Sequence, residues 1–380
     1  MSVGASTELL VGDETGVEIE PVAGEITARS PLQLFLRRFA QDRVAIASLV
    51  VIALLILTAI FAPLIVKLVG APGPNVQNTS ALSTFGTPTG PSHNALLPFI
   101  VAILGLVLAM LLGAWRATRG RGQLVIIALA LLAAVVLAVT TWPSAKHLFG
   151  IDPLGRDIFA RVLYGARVSL LVAFVATALV MLIGVTLGMV AGYFRGVVDT
   201  VISRLIDLLL AFPILLLALG LAAACSLGKG CFGGALKPGL VVVIFVIAVA
   251  NWTYIARIVR GQVLSLREKE FVEAARSLGA SNSRIIFKEI LPNLIAPIIV
   301  YATLLIPQAI LFEAALSFLG AGVQPPTASW GAMLADATTI YNTAWWYMVF
   351  PGAALLITVL AFNLVGDGLQ DALHPKAASN

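Results

Sequence analysis

The sequence predicts an all-α protein, a polytopic bundle of transmembrane helices. Three observations carry that expectation. Hydrophobic residues make up 59% of the 380-residue chain and charged residues only 11%, against roughly 25% charged in a soluble domain. The apolar residues come in unbroken runs of about 20, the length at which a helix crosses the hydrocarbon layer. Those runs lack the period-two alternation of a barrel strand, and backbone groups in lipid must be satisfied within the segment. A single soluble core is excluded, because too little polar surface remains to cover it.

Taken in order, residues 1–33 read as a disordered cytoplasmic tail. They lack the apolar core of a signal peptide and carry Glu8, Asp13, Glu14, Glu18, Glu20 and Glu25, the composition of a segment that stays solvated. Eight spans follow, at about 44–66, 95–115, 123–142, 168–193, 200–224, 239–259, 293–319 and 345–367, each long enough to cross. Orientation follows from Lys and Arg. Arg37, Arg38 and Arg43 precede the first span and place the N-terminus inside. The loop with Arg116, Arg119 and Arg121 then falls inside, as does the strongly basic loop from Arg257 to Lys288, and both termini are cytoplasmic. One outside segment, 143–167, resists the rule with Lys146, Arg156, Arg161 and Arg167, partly offset by Asp152 and Asp157.

The net charge of +5 belongs to these cytoplasmic loops and calls for no nucleic-acid partner. His93, His147 and His374 are scattered, and no metal site or cofactor is expected. Gly228-Lys229-Gly230 lacks the spaced glycine and the following Ser or Thr of a phosphate loop. With no catalytic constellation either, the sequence does not read as an enzyme or as carrying an ATPase site of its own. Cys225 and Cys231 sit in a short outside loop, where a disulfide and two free thiols are both open readings. Charges inside spans call for a hypothesis. Arg204 and Asp207 lie three apart and can pair on one helix face; Glu313 faces a pathway or caps a buried contact; Asn251 is equally ambiguous.

The most informative stretch is the inside loop 260–292. Phe271, Ala274, Ala275 and Leu278 fall at i, i+3, i+4 and i+7, one face of a short helix, with Glu273 and Arg276 off that face. Gly279 ends the helix, Ser281 or Asn282 caps the next, and Pro292 and Pro297 mark the junction with the following span. Such a helix either docks into a groove on another protein or lies on the lipid surface, and the pattern alone leaves both open.

The run Glu273-Ala274-Ala275, then Gly279, then Leu291-Pro292 resembles the EAA loop of binding-protein-dependent ABC importer permeases; the family's Ile slot holds Glu289, with Ile290 one place later. Further stretches resemble dipeptide/oligopeptide permeases of the DppC/OppC type. These are His147 to Asp157 with Gly165 to Leu170, Glu313 to Gly320 with Gln324-Pro325-Pro326 and Ser329-Trp330-Gly331, and Gly366 to Leu373. The resemblance implies a type I ABC importer permease fold with six core spans: an N-terminal span at 34–66 and a permease core at 147–376 containing the coupling loop 260–292. Residues 67–146 depart from the family as an insertion with two extra hydrophobic spans, a two-helix hairpin that leaves downstream orientation unchanged.

The resemblance also implies the function: a multi-pass cell-membrane subunit translocating di- or oligopeptides by alternating access. Its partners would be separate ABC ATPase subunits, a second homologous permease, an extracytoplasmic substrate-binding protein and the lipid bilayer. Phe271, Glu273, Ala274, Ala275, Leu278 and Gly279 would couple the chain to the ATPase. Nickel, glutathione or oligosaccharides are alternative cargoes of the same group. A secondary, ion-coupled transporter is the rival class, but the sequence has no internal repeat of the kind such transporters carry.

Overall fold

The computed structural model describes residues 35, 38–84, 86–91, 147–226, 231 and 239–373. The tail 1–33 and the spans expected at 95–115 and 123–142 lie outside the described residues. Among those residues five helices are long and apolar enough to cross a membrane, or six if one sharply bent pair counts as a single span.

Helix α1 (Arg43–Ile60) starts where the Asp42 carboxylate accepts from the backbone N–H groups of Val44 and Ala45, satisfying donors that a helix start leaves open. The chain turns at Phe61 into a separate short helix, α2 (Ala62–Val69), with Pro63 in its first turn and Gly70 in the left-handed region after it. The expected span 44–66 is therefore two helices. Helix α3 (Ile158–Phe194) is capped by Asp157 and runs for 37 residues, about 55 Å at the standard rise. It overshoots the roughly 30 Å hydrocarbon layer, whereas apolarity alone marked only 168–193.

The expected fifth span is broken. Helices α4 (Gly196–Leu210) and α5 (Ile214–Ser226) meet at 89°. Pro213 explains the break, because a residue preceding proline is driven out of the helical region. Helix α6 (Leu240–Arg267) continues well beyond the expected end at 259. A short helix α7 (Glu270–Ser277) follows, and then a helical lead-in from Asn282 through a π-helical stretch Ile285–Ile290 into α8 (Leu291–Phe318). The loop read as 260–292 thus shrinks to the stretch between α6 and Asn282. Helix α9 (Trp330–Ala337) packs near the start of α3, and α10 (Trp346–Leu373) completes the bundle.

The most extensive interface joins α3 and α6, which run parallel. Gly184, Gly188 and Gly192 recur every four residues on the contact face of α3. A Cβ at Gly184 would stand 2.9 Å from Ile255, one at Gly188 2.7 Å from the Ala256 carbonyl, and one at Gly192 2.8 Å from Val263. Small residues at this spacing let backbones approach where lipid supplies no hydrophobic drive. Two glycines of the C-terminal run do similar work: a Cβ at Gly366 would strike Leu304 of α8 at 2.6 Å, and one at Gly368 would meet Ala45 of α1 at 2.4 Å.

The outside segment that resisted the charge rule proves largely self-neutralising. Buried Asp152 accepts from the Leu154 and Arg156 backbone and from Arg156 Nε at 2.6 Å, with Arg161 Nε at 3.8 Å. Asp157 caps α3 and meets His147 Nδ1 at 2.9 Å. Trp330 Nε1 donates to the Val162 carbonyl and Trp346 Nε1 to the Ile151 carbonyl, which tie α9 and α10 to this segment.

Replacing Gly188 with Leu should wedge α3 from α6 and cost about 1–3 kcal/mol from overpacking alone. Thermal unfolding of the detergent-solubilised protein should show a clear fall in midpoint, whereas the same change at exposed Gly220, whose Cβ would meet nothing within 4 Å, should not.

Candidate functional site

The candidate site lies at the end of the bundle where α3 and α6 stop and α7 begins. Helix α3 ends at Arg195, the one non-glycine residue with positive φ, 55°, among the described residues. A bulky residue held there costs on the order of 1–3 kcal/mol and persists only when its surroundings fix it. Its guanidinium pairs with Glu268, which caps the end of α6. Arg260 of α6 grips Asp199 of α4 through both carboxylate oxygens. Arg267 donates to the Tyr193 carbonyl at 2.7 Å with its guanidinium 5.8 Å from the Tyr193 ring centre, and the Tyr193 hydroxyl donates to Asn282 Oδ1 at 2.7 Å. The outer ion pairs are solvated and individually weak. Together these contacts fasten the ends of α3, α4, α6 and the lead-in to α8 into one block.

Helix α7 hangs from that block by Val272, which is 0% exposed among Tyr193, Val259, Val263, Ile285 and Ile290. Its end is built as a Schellman motif: Ala280 N–H donates to the Ala275 carbonyl and Gly279 N–H to the Arg276 carbonyl, both at 3.0 Å, with Gly279 at φ 79°. That left-handed position is cheap for glycine and strained for other residues. Ser281, one of the two expected caps, accepts from Arg284 N–H.

The expected stripe is placed almost entirely outward. Phe271 is 39% exposed and Leu278 89%; Ala274 and Glu273 are exposed, Gly279 is exposed, and only Ala275 is half-buried. Among the described residues, Phe271, Ala274 and Leu278 of the face read from the spacing are therefore left exposed while Ala275 packs against the core, and the anchor is Val272, one residue to the side. In an eight-residue helix with apolar groups on both sides, periodicity cannot say which side is buried. The fastening residues Tyr193, Arg195, Asp199 and Glu268 also escaped the sequence; they stand some seventy residues apart along the chain, and only the α3–α6 packing joins them.

The other polar candidates resolve differently. Asp207 accepts from Arg257 of α6 at 2.7 Å instead of from Arg204 on its own helix. These residues, with Asp199, Ser203 and Arg260, line a cleft of about 500 Å3 between α4 and α6. Glu313 is fully buried and accepts from Ser169 of α3 at 2.9 Å and from Ser317 at 2.7 Å, so it joins two helices near the outer end. Cys225 and Cys231 are joined by a disulfide with Cα atoms 4.5 Å apart.

Residues 184–379 match the family of binding-protein-dependent transport system inner membrane components, and residues 30–81 match the N-terminal transmembrane domain of oligopeptide transport permease C. The second match continues past residue 66, into what was read as inserted sequence. The dipeptide transport system permease protein DppC of Alkalihalophilus pseudofirmus is 48% identical over 237 residues, 62% of this chain and 74% of its own length. A putative peptide transport system permease protein of Brucella abortus is 42% identical over 284 residues, 75% of this chain and 88% of its own length. A solved inward-facing structure of the MetNI methionine ABC transporter aligns with a TM-score of 0.47 at 22% identity, over 56% of this chain and 96% of that one.

With both cysteines bonded, a thiol placed on α7 can be read alone by a membrane-impermeant maleimide. Leu278→Cys should react rapidly in the isolated chain and Val272→Cys far more slowly. Equal rates would contradict this seating of α7.

Proposed function

The chain belongs to the family of binding-protein-dependent transport system inner membrane components, and we propose that it forms one half of the translocation path of a peptide importer, driven through α7 by a separate ATPase. The membership makes it a transmembrane permease subunit of an ABC importer. The peptide cargo is supported by the names of its relatives, a dipeptide and a putative peptide permease. The observation that carries the coupling role is the exposed face of α7. Phe271, Ala274 and Leu278 form an apolar patch on a helix fixed from behind by Val272 and framed by Glu273.

In this reading a groove on the ATPase subunit receives Phe271, Ala274, Ala275 and Leu278. Glu273 meets a basic residue of that groove, and Gly279 sets the exit of the chain from it. Closure of two ATPase subunits on ATP pushes α7, and the fastened ends of α3, α4, α6 and α8 move with it. The bundle then rocks between inward-open and outward-open states, two packings whose balance both the nucleotide and the loaded binding protein shift. A second, homologous permease supplies the other wall of the path, and an extracytoplasmic binding protein delivers the cargo. Both termini lie in the cytoplasm.

The test uses the complete transporter in proteoliposomes. Gly279→Val, which forces a β-branched residue into the left-handed region, and Glu273→Ala should leave the chain inserted. ATP-driven peptide uptake should fall about tenfold or more, within the 5–150-fold range typical of coupling between sites. Normal uptake by both variants would reject the coupling role. Uptake that survives ATP depletion while an ion gradient persists would reject the importer itself.

A further inference from the structure

Three long helices bring three uncharged polar side chains to one level. Thr177 lies near the middle of α3, Asn251 near the middle of α6, and Gln308 just beyond the middle of α8; together with apolar neighbours they line a void of about 10 Å3. That is room for one water molecule at most. Thr177 is only 5% exposed, and its hydroxyl has no hydrogen-bond partner, although a helical threonine ordinarily bonds a carbonyl one turn back. Asn251 Nδ2 donates to the Ile247 carbonyl at 2.9 Å, and nothing among the described residues donates to its Oδ1. Gln308, directly after Pro307, is exposed on the chain's surface and makes no hydrogen bond among the described residues.

An unpartnered carboxamide at mid-depth is costly against lipid. Polar side chains at that depth face a bundle interior or a watered path. The face of α8 carrying Gln308 is therefore not a lipid face in the working assembly. The chemistry of the cluster narrows what passes there. Two carboxamides offer both donors and acceptors with no charge. They match a peptide bond, which presents one N–H and one C=O, and they hold neither terminus nor any particular side chain. Contacts of that kind suit a path, where binding must be weak enough to release.

We propose that Asn251 and Gln308, with Thr177 buried behind them, form a mid-membrane step of the translocation path at which the two carboxamides hydrogen-bond the backbone amides of the passing peptide. The proposal rests on the peptide-importer reading above.

The test measures peptides moved per ATP hydrolysed by the complete transporter in proteoliposomes, with a pool of radiolabelled di- to pentapeptides as cargo. Gln308→Leu and Asn251→Leu should each lower that ratio about tenfold, the effect of leaving a buried amide unpaired, while hydrolysis stimulated by loaded binding protein continues. Gln308→Asn, which keeps the carboxamide, should recover part of the loss. Ratios within twofold of the unaltered transporter for both Leu variants would overturn the proposal. So would a parallel fall in uptake, hydrolysis and complex recovery, which would mark Gln308 as a packing contact with the second permease. In both cases the unaltered transporter still imports peptide. Absence of uptake by the unaltered transporter instead overturns the importer reading, and this proposal with it.

Discussion

The close parallel contact of α3 with α6 is the constraint on which the rest of the bundle depends. Gly184, Gly188 and Gly192 remove the side chains that would hold the two backbones apart. Dispersion over that length then substitutes for the hydrophobic drive that lipid cannot supply. The same register brings Tyr193 and Arg195 beside Arg267 and Glu268 at one end of the pair. Val272 of α7 joins an apolar cluster that also holds Tyr193 of α3, Val259 and Val263 of α6, and Ile285 and Ile290 of the lead-in to α8. The short helix α7 is thus seated chiefly on that lead-in and on α6.

Polar groups follow the economy that lipid imposes. Asp152, Asp157 and Glu313 are each buried, and each is met by cations, hydroxyls, an imidazole or backbone N–H groups. Leaving one of them unpaired would cost several kcal/mol. Asp152 and Asp157 hold the segment before α3 together, and Glu313 joins α8 to α3. Among the described residues the buried hydroxyls of Ser48, Thr177 and Thr253 have no partner, and only that of Thr177 lies beside the carboxamides of Asn251 and Gln308.

Much of the candidate site was legible because turn chemistry is local. The Gly279 stop and the Ser281 cap depend on a few neighbouring residues, and the spacing of Phe271, Ala274 and Leu278 already described a helix with an apolar face. What escaped depends on distant neighbours. Val272 is buried against residues of α6 and of the lead-in to α8, which lie up to eighteen positions away along the chain. Asp207 pairs with Arg257 of the facing helix, fifty positions away. Helix ends were misplaced wherever charge was taken as a boundary: Arg257, Arg260 and Arg267 continue α6 past its apolar part, their heads paired or solvated. The break at Pro213 was written in the sequence, but a hydropathy window averages across it. The glycine run of α3 carried a signal too, as a small residue at every fourth position.

The central claim is that the outward face of α7 is received by an ATP-hydrolysing partner. It is tested most directly by placing a photoreactive side chain at Leu278, irradiating the assembled, actively transporting complex, and identifying the captured chain by mass spectrometry. Capture of the ATPase subunit, at a yield that changes between ATP-bound and nucleotide-free states, is the predicted result. Capture of lipid alone, or of no nucleotide-hydrolysing subunit in a complex that still imports, would contradict the account.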